Sequence, residues 1–217
     1  MAREHRPTRY GQLANDTAQS TMSDKSNLLE ADDPLDRPEG LAGSLHVGPL
    51  NAVGQMVRQC RASHLLTCLH DDLVQTPITI ERARHLRLVM HDIAEAIPDH
   101  TPPDARHITR IIDFAHDWGG HSAMVVHCFA GISRSTAAAF ISLCAINPDA
   151  PEELIAQRLR EASLTACPNR LMVRLADEAL ARRGRMIKAI ERMGPARPAY
   201  QATPFSLAAD FAADTSL

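Results

Sequence analysis

Residues 123–146 read AMVVHCFAGISRSTAAAFISLCAI, and the architecture of the chain follows from them. Ala123–Cys128 is an almost unbroken apolar run of strand length, the pattern of a strand covered on both faces. Arg134–Ile146 is alanine-rich, has the length of a helix, and stops before Asn147-Pro148, where the proline bars continuation. Between the two lies a short turn, His127-Cys128-Phe129-Ala130-Gly131-Ile132-Ser133-Arg134-Ser135. A strand feeding a helix through such a turn presents converging backbone N–H groups and a helix N-terminus, which together form an anion cradle. Gly131 supplies either a positive φ or a close backbone approach. Arg134 stands at the helix start, where its guanidinium can grip two oxygens of a phosphate. Cys128 lies at the bottom of the same field, which favours a thiolate and so a nucleophile.

Outward from this turn, short apolar runs alternate with helical patterns. SLHVGPL (44–50), HLLTCLH (64–70) and LRLVMHD (86–92) read as strands, and NAVGQMVRQCRA (51–62) as a helix. From Thr101 the sequence TPPDARHITRIIDFAHDWGG carries a helical apolar stripe that Gly119-Gly120 ends. Thr101 is expected as its N-cap, with Pro102 in the first helical position and Asp104 at capping-box spacing. Three more helices are expected near 150–163, 170–183 and 185–193, the first opened by Asp149-x-x-Glu152 and the second by Asn169. The alternation predicts an α/β fold, a mainly parallel central sheet flanked by helices on both faces. Ligands of such sheets bind beyond the carboxyl ends of the strands, which directs attention to the turns after Val126 and Met90.

Residues 1–42 have no sustained apolar period and read as a disordered N-terminal tail. Residues 195–217 read as a disordered C-terminal tail, leaving a folded domain at 43–194. The whole chain has 217 residues, 45% hydrophobic and 23% charged, with a net charge of −3 and only 4% aromatic residues. Neither a basic face nor stacking platforms for nucleic acid are expected from that balance. No apolar run reaches the roughly 18–20 residues of a membrane span, and the first twenty residues lack the apolar segment of a secretory signal. Five cysteines without the density of a disulfide scaffold point to a reducing, cytoplasmic compartment. Cys60, Cys68, Cys144 and Cys167 read as structural, and Arg182, Arg183 and Arg185 as a solvated cationic helix end. The eleven histidines are scattered and show no zinc-site spacing, so neither metal nor cofactor is expected.

The 127–135 turn resembles the signature of the cysteine-dependent protein tyrosine phosphatase superfamily: a cysteine, five residues, an arginine, then a serine or threonine. His127, Gly131 and Ser133-Arg134-Ser135 bring it close to the small dual-specificity branch. The resemblance implies the phosphatase-type fold and a phosphocysteine intermediate formed by Cys128. Arg134 and the loop from Phe129 through Ala130, Gly131, Ile132 and Ser133 would hold the phosphate. Ser135 would help the sulfur leave, and His127 would orient the loop from behind. The implied general acid is an aspartate some thirty residues upstream. Asp92, at the end of the LRLVMHD run and 36 residues ahead of Cys128, is the preferred candidate. Asp99, 29 residues ahead, is the second, and Asp104 is assigned to the helix start. The expected partner is a phosphorylated protein, phosphotyrosine first and phosphoserine or phosphothreonine where pocket depth permits. The loop positions Phe129, Ala130, Ile132 and Ser133 include no basic residue, which argues against highly charged substrates. The alternatives are another cysteine-loop anion enzyme, a sulfurtransferase or arsenate reductase, and an inactive phosphate-binding module.

Overall fold

A computed structural model describes residues 43–95 and 97–211; the expected N-terminal tail lies outside them. Among the described residues, five strands form one sheet: β1 (Ser44–Pro49), β2 (His64–Leu69), β3 (His85–Val89), β4 (Ala123–Cys128) and β5 (Phe205–Ala208). Their spatial order is β3-β2-β4-β1-β5. The first four are parallel, with Leu66 opposite Val126 and Val47 opposite Val126 on its other side. β4 is thus central, which accounts for its unbroken apolar sequence. Six α-helices of the described residues surround the sheet: α1 (Val53–Gln59), α2 (Ala105–Trp118), α3 (Arg134–Ile146), α4 (Glu152–Ala162), α5 (Arg170–Ala179) and α6 (Arg185–Arg192).

The pleat sorts the side chains into two cores. Leu45, Val47, Leu66, Cys68, Leu88, Met124 and Val126 face α2 to α6. Leu65 and Val125 point the other way, onto Val53, Met56 and Val57 of α1. α3 is buried all round except at Ile146, and its run Ala137-Ala138-Ala139 lets the backbone lie close against the sheet. A helix wrapped in protein on every side needs no polar stripe, so its alanine-rich sequence shows almost none. No described helix is long and apolar enough to cross a membrane.

Four expectations are corrected. α2 starts at Ala105 with Asp104, not Thr101, as its N-cap. Asp104 Oδ1 accepts the His107 N–H at 2.9 Å and His107 Nδ1 accepts the Asp104 N–H at 3.1 Å, a reciprocal capping box. Thr101 and Pro102 each precede a proline, which keeps both residues out of helical geometry. α4 opens at Pro151 rather than Asp149, because the buried carboxylate of Glu152 is taken by Arg182 at 3.2 Å and Arg185 at 3.0 Å. Arg182 itself is buried, not solvated, and donates to the carbonyls of Cys144 (2.7 Å) and Pro148 (2.8 Å) at the end of α3. Lastly, the segment expected as a disordered tail from 195 contains β5, which pairs antiparallel with the free edge of β1. Leu207, Ala209 and Phe211 are buried there. Asn147 pins the strand's exit, donating to the Ala209 carbonyl (2.9 Å) and accepting from the Phe211 N–H (3.1 Å).

Candidate active site

The 128–134 loop leaves the carboxyl end of the central strand and enters α3. Its shape is set from outside. The Phe129 carbonyl accepts the Leu50 N–H (3.2 Å), that of Ala130 the Ala202 N–H (2.9 Å), that of Ile132 the Cys167 N–H (2.9 Å) and that of Ser133 the Asn169 N–H (3.3 Å). A trans peptide places each C=O opposite the N–H of the next residue. Carbonyls tied outward by three surrounding segments therefore turn the N–H groups of Ala130, Gly131, Ser133 and Arg134 inward. Gly131 has φ +75°, and a Cβ there would lie 2.8 Å from Gly48 C and Pro49 N. Only glycine fits this conformation so close to another backbone.

The centre of the loop is the Cys128 sulfur. It accepts the Gly131 N–H at 3.2 Å and lies 3.2 Å from Ser135 Oγ. Behind it, His127 is fully buried and shares the Thr67 hydroxyl (2.6 Å) with His85 (2.9 Å). One hydroxyl proton serves two rings, so Thr67 donates to one imidazole and accepts from the other. Burial pushes His127 down to about 4. His85 is also pushed down to about 4, by burial and then by the Arg87 charge. Both rings are thus neutral near pH 7, so neither imidazole adds a positive charge behind the loop. Burial pushes the thiol of Cys68, the next residue after Thr67 on β2, upward, with the Cys128 charge adding to the effect.

Arg134 is buried at the first turn of α3. Its Nη1 donates to the Met90 carbonyl at 2.8 Å, which fixes the side chain. Its Nε is buried and has no hydrogen-bond partner among the described residues, lying 3.9 Å from Asp92 Oδ2. A buried guanidinium donor left over in a ring of inward N–H groups is a donor aimed at an anion. Asp92 is held at the rim by the Ser133 hydroxyl (2.6 Å) and the Asn169 amide (2.9 Å), both on Oδ1. Asp99 lies exposed in a turn at φ +61° and makes no hydrogen bond or ion pair to this loop among the described residues. The structure therefore brings Cys128, Gly131, Ser133, Arg134, Ser135 and Asp92 together, with His127 beneath them. Phe129 stands 64% exposed at the mouth. Asn169 reads in the sequence only as the N-cap of α5. No local signal ties it to a carboxylate 77 residues earlier.

The protein-tyrosine phosphatase family model matches residues 55–162. Among solved structures the chain is similar to DUSP15, with a TM-score of 0.51 and 20% identity over 72% of this chain and 96% of that one. It is also similar to the PTP-2 phosphatase of Cydia pomonella, with a TM-score of 0.48 and 21% identity over 62% of this chain and 84% of that one. Among curated proteins, none matches the chain. The family match runs through β4, the loop and α3. The chain belongs to the cysteine-dependent protein tyrosine phosphatase superfamily and has the fold of a small dual-specificity phosphatase.

Proposed function

We propose that the protein hydrolyses phosphate monoesters on proteins, phosphotyrosine foremost, through a phosphocysteine intermediate. The observation that carries this reading is the convergence on one loop of a sulfur that accepts an N–H, a buried arginine donor and an aspartate at the rim. The Cys128 thiolate attacks phosphorus; the S–P bond forms as the P–O bond to the leaving group breaks. The inward N–H groups and Arg134 hold the three equatorial oxygens while charge redistributes. Asp92 gives its proton to the departing oxygen. Water then attacks the phosphocysteine, Asp92 takes a proton from it, and phosphate leaves. Ser135, 3.2 Å from the sulfur, donates to the thiolate as it is released.

The loop offers Phe129, Ala130, Ile132 and Ser133 around the phosphate, a mouth that suits an aryl ring better than a polyanion. A sulfurtransferase needs no acid at this position and an inert phosphate reader needs neither acid nor thiol, so Asp92 beside the loop favours hydrolysis over both. The test is a series of aryl phosphates with the wild type, Cys128→Ser and Asp92→Asn. Cys128→Ser abolishes turnover. Asp92→Asn loses about 10²-fold or more in kcat/KM with a poor leaving group such as phenyl phosphate, within the range a general acid supplies, and far less with 2,4-dinitrophenyl phosphate. Equal losses across the series remove Asp92 from the acid role. Persulfide on Cys128 after incubation with thiosulfate, without phosphatase turnover, replaces the reading with sulfur transfer.

A further inference from the structure

Asn169 lies where α5 begins, yet it reaches the other side of the site. Its Oδ1 accepts the Met172 N–H at 3.1 Å as the helix cap. That bond decides which way the amide is turned, because only the oxygen can accept from an N–H. The NH₂ end must then face Asp92, and it donates to Asp92 Oδ1 at 2.9 Å, with the Ile93 carbonyl at 3.4 Å. Asn169's own N–H is tied to the Ser133 carbonyl, and the residue is only 7% exposed. The side chain is thus held at both ends before it touches the aspartate.

The Ser133 hydroxyl also donates to Oδ1, at 2.6 Å. Oδ1 has two lone pairs, and two donors fill them. The other oxygen, Oδ2, is the one turned toward Arg134, 3.9 Å from its Nε. We infer that Asn169 and Ser133 act as a two-point clamp on Asp92, saturating Oδ1 so that the transferable proton rides on Oδ2, the oxygen on the phosphate side. Asn169 is therefore a positioning residue for the acid step. This rests on Asp92 being the general acid, as proposed above. The clamp also links the acid loop, the phosphate loop and α5 through one carboxylate. In the first step the Oδ2–H bond breaks as the proton passes to the leaving oxygen. In the second, Oδ2 recovers a proton from the attacking water, and Oδ1 keeps both its hydrogen bonds throughout.

Asn169→Ser keeps an oxygen able to cap α5 but removes the amide arm. Asn169→Asp keeps the cap and replaces the donor with a like charge. Both variants, with Asp92→Asn alongside, are assayed on phenyl phosphate and 2,4-dinitrophenyl phosphate, with folding followed by circular dichroism. The clamp predicts that Asn169→Ser lowers kcat on phenyl phosphate by about tenfold, a part of what the acid supplies. KM holds near the wild-type value, and the loss on the dinitrophenyl ester is much smaller. Asn169→Asp falls at least as far. A loss equal on both esters, or no loss, in a folded Asn169→Ser or Asn169→Asp overturns the clamp if Asp92→Asn is still selective for the poor leaving group. If Asp92→Asn is not selective either, it is the acid assignment beneath the clamp that has failed.

Discussion

His127 lies beneath the loop, not at its mouth. Its ring is wholly buried beneath the loop, bonded through Thr67 to a second buried ring, His85. Burial holds it near 4, well below the ordinary value of 6.5, so between those two pH values the unfolded chain binds a proton that the folded chain refuses. Stability therefore falls as pH drops through that window, by about 3 kcal/mol for a shift of this size. Urea unfolding at pH 7 and at pH 5 checks this. The midpoint is lower at pH 5, and His127→Asn reduces the difference; equal midpoints at the two pH values contradict it. At this scale the sequence was informative about identity and poor about partners. Cys128, Gly131 and Arg134 stand out by spacing in a short strand-to-helix turn, and Ser135 enters through the resemblance. The partners of His127 and of Asp92 come from other strands and helices, and no spacing encodes them.

The loop as an element depends on its carbonyls being held outward and on one positive φ. Gly131→Ala places a methyl group 2.8 Å from Gly48 C and Pro49 N at φ +75°. The left-handed backbone alone costs about 1–2 kcal/mol, and relief of the clash swings the 131 N–H away from the Cys128 sulfur. Activity falls more than stability does: a thermal shift of a few degrees accompanies a loss of more than about tenfold in kcat/KM, the weight of a transition-state donor being about 10²-fold. Wild-type turnover in Gly131→Ala contradicts the cradle. Elements with strong internal signals were legible. Ala123–Cys128 and Arg134–Ile146 coincide with β4 and α3, since a run of Val and Ala leaves few other readings. The start of α2 departs from the expected Thr101 because the double proline competes with a plausible threonine cap. β5 is not legible in the sequence because four residues, FSLA, carry almost no strand signal of their own; its existence depends on an edge that β1 leaves open.

On the scale of the whole molecule, the site is assembled from distant pieces. The loop's outer carbonyls are held by Leu50, Cys167, Asn169 and Ala202, residues that lie before, after and far beyond it in the chain. The C-terminal segment thus does two things: β5 covers the β1 edge and Ala202 braces Ala130. A chain truncated after Gly194 loses both. It is expected to melt several degrees lower, exposing an edge prone to pairing with other chains, and to bind orthovanadate more weakly. An unchanged melting point and unchanged vanadate inhibition would show that the segment is dispensable. The domain assembly was legible in its alternation of strands and helices. Its closure by the last strand was not, because pairing across the fold leaves no local trace.

The most direct measurement is to trap the intermediate. Asp92→Asn, expected on the proposed mechanism to form the phosphocysteine from 2,4-dinitrophenyl phosphate and to lack the base for its hydrolysis, is quenched in acid during turnover and digested for mass analysis. A phosphocysteine mechanism places the added mass of one phosphoryl group on the peptide carrying Cys128, and none on the same peptide from Asp92→Asn combined with Cys128→Ser. Turnover that persists without any adduct on Cys128, or an adduct on another residue, contradicts it.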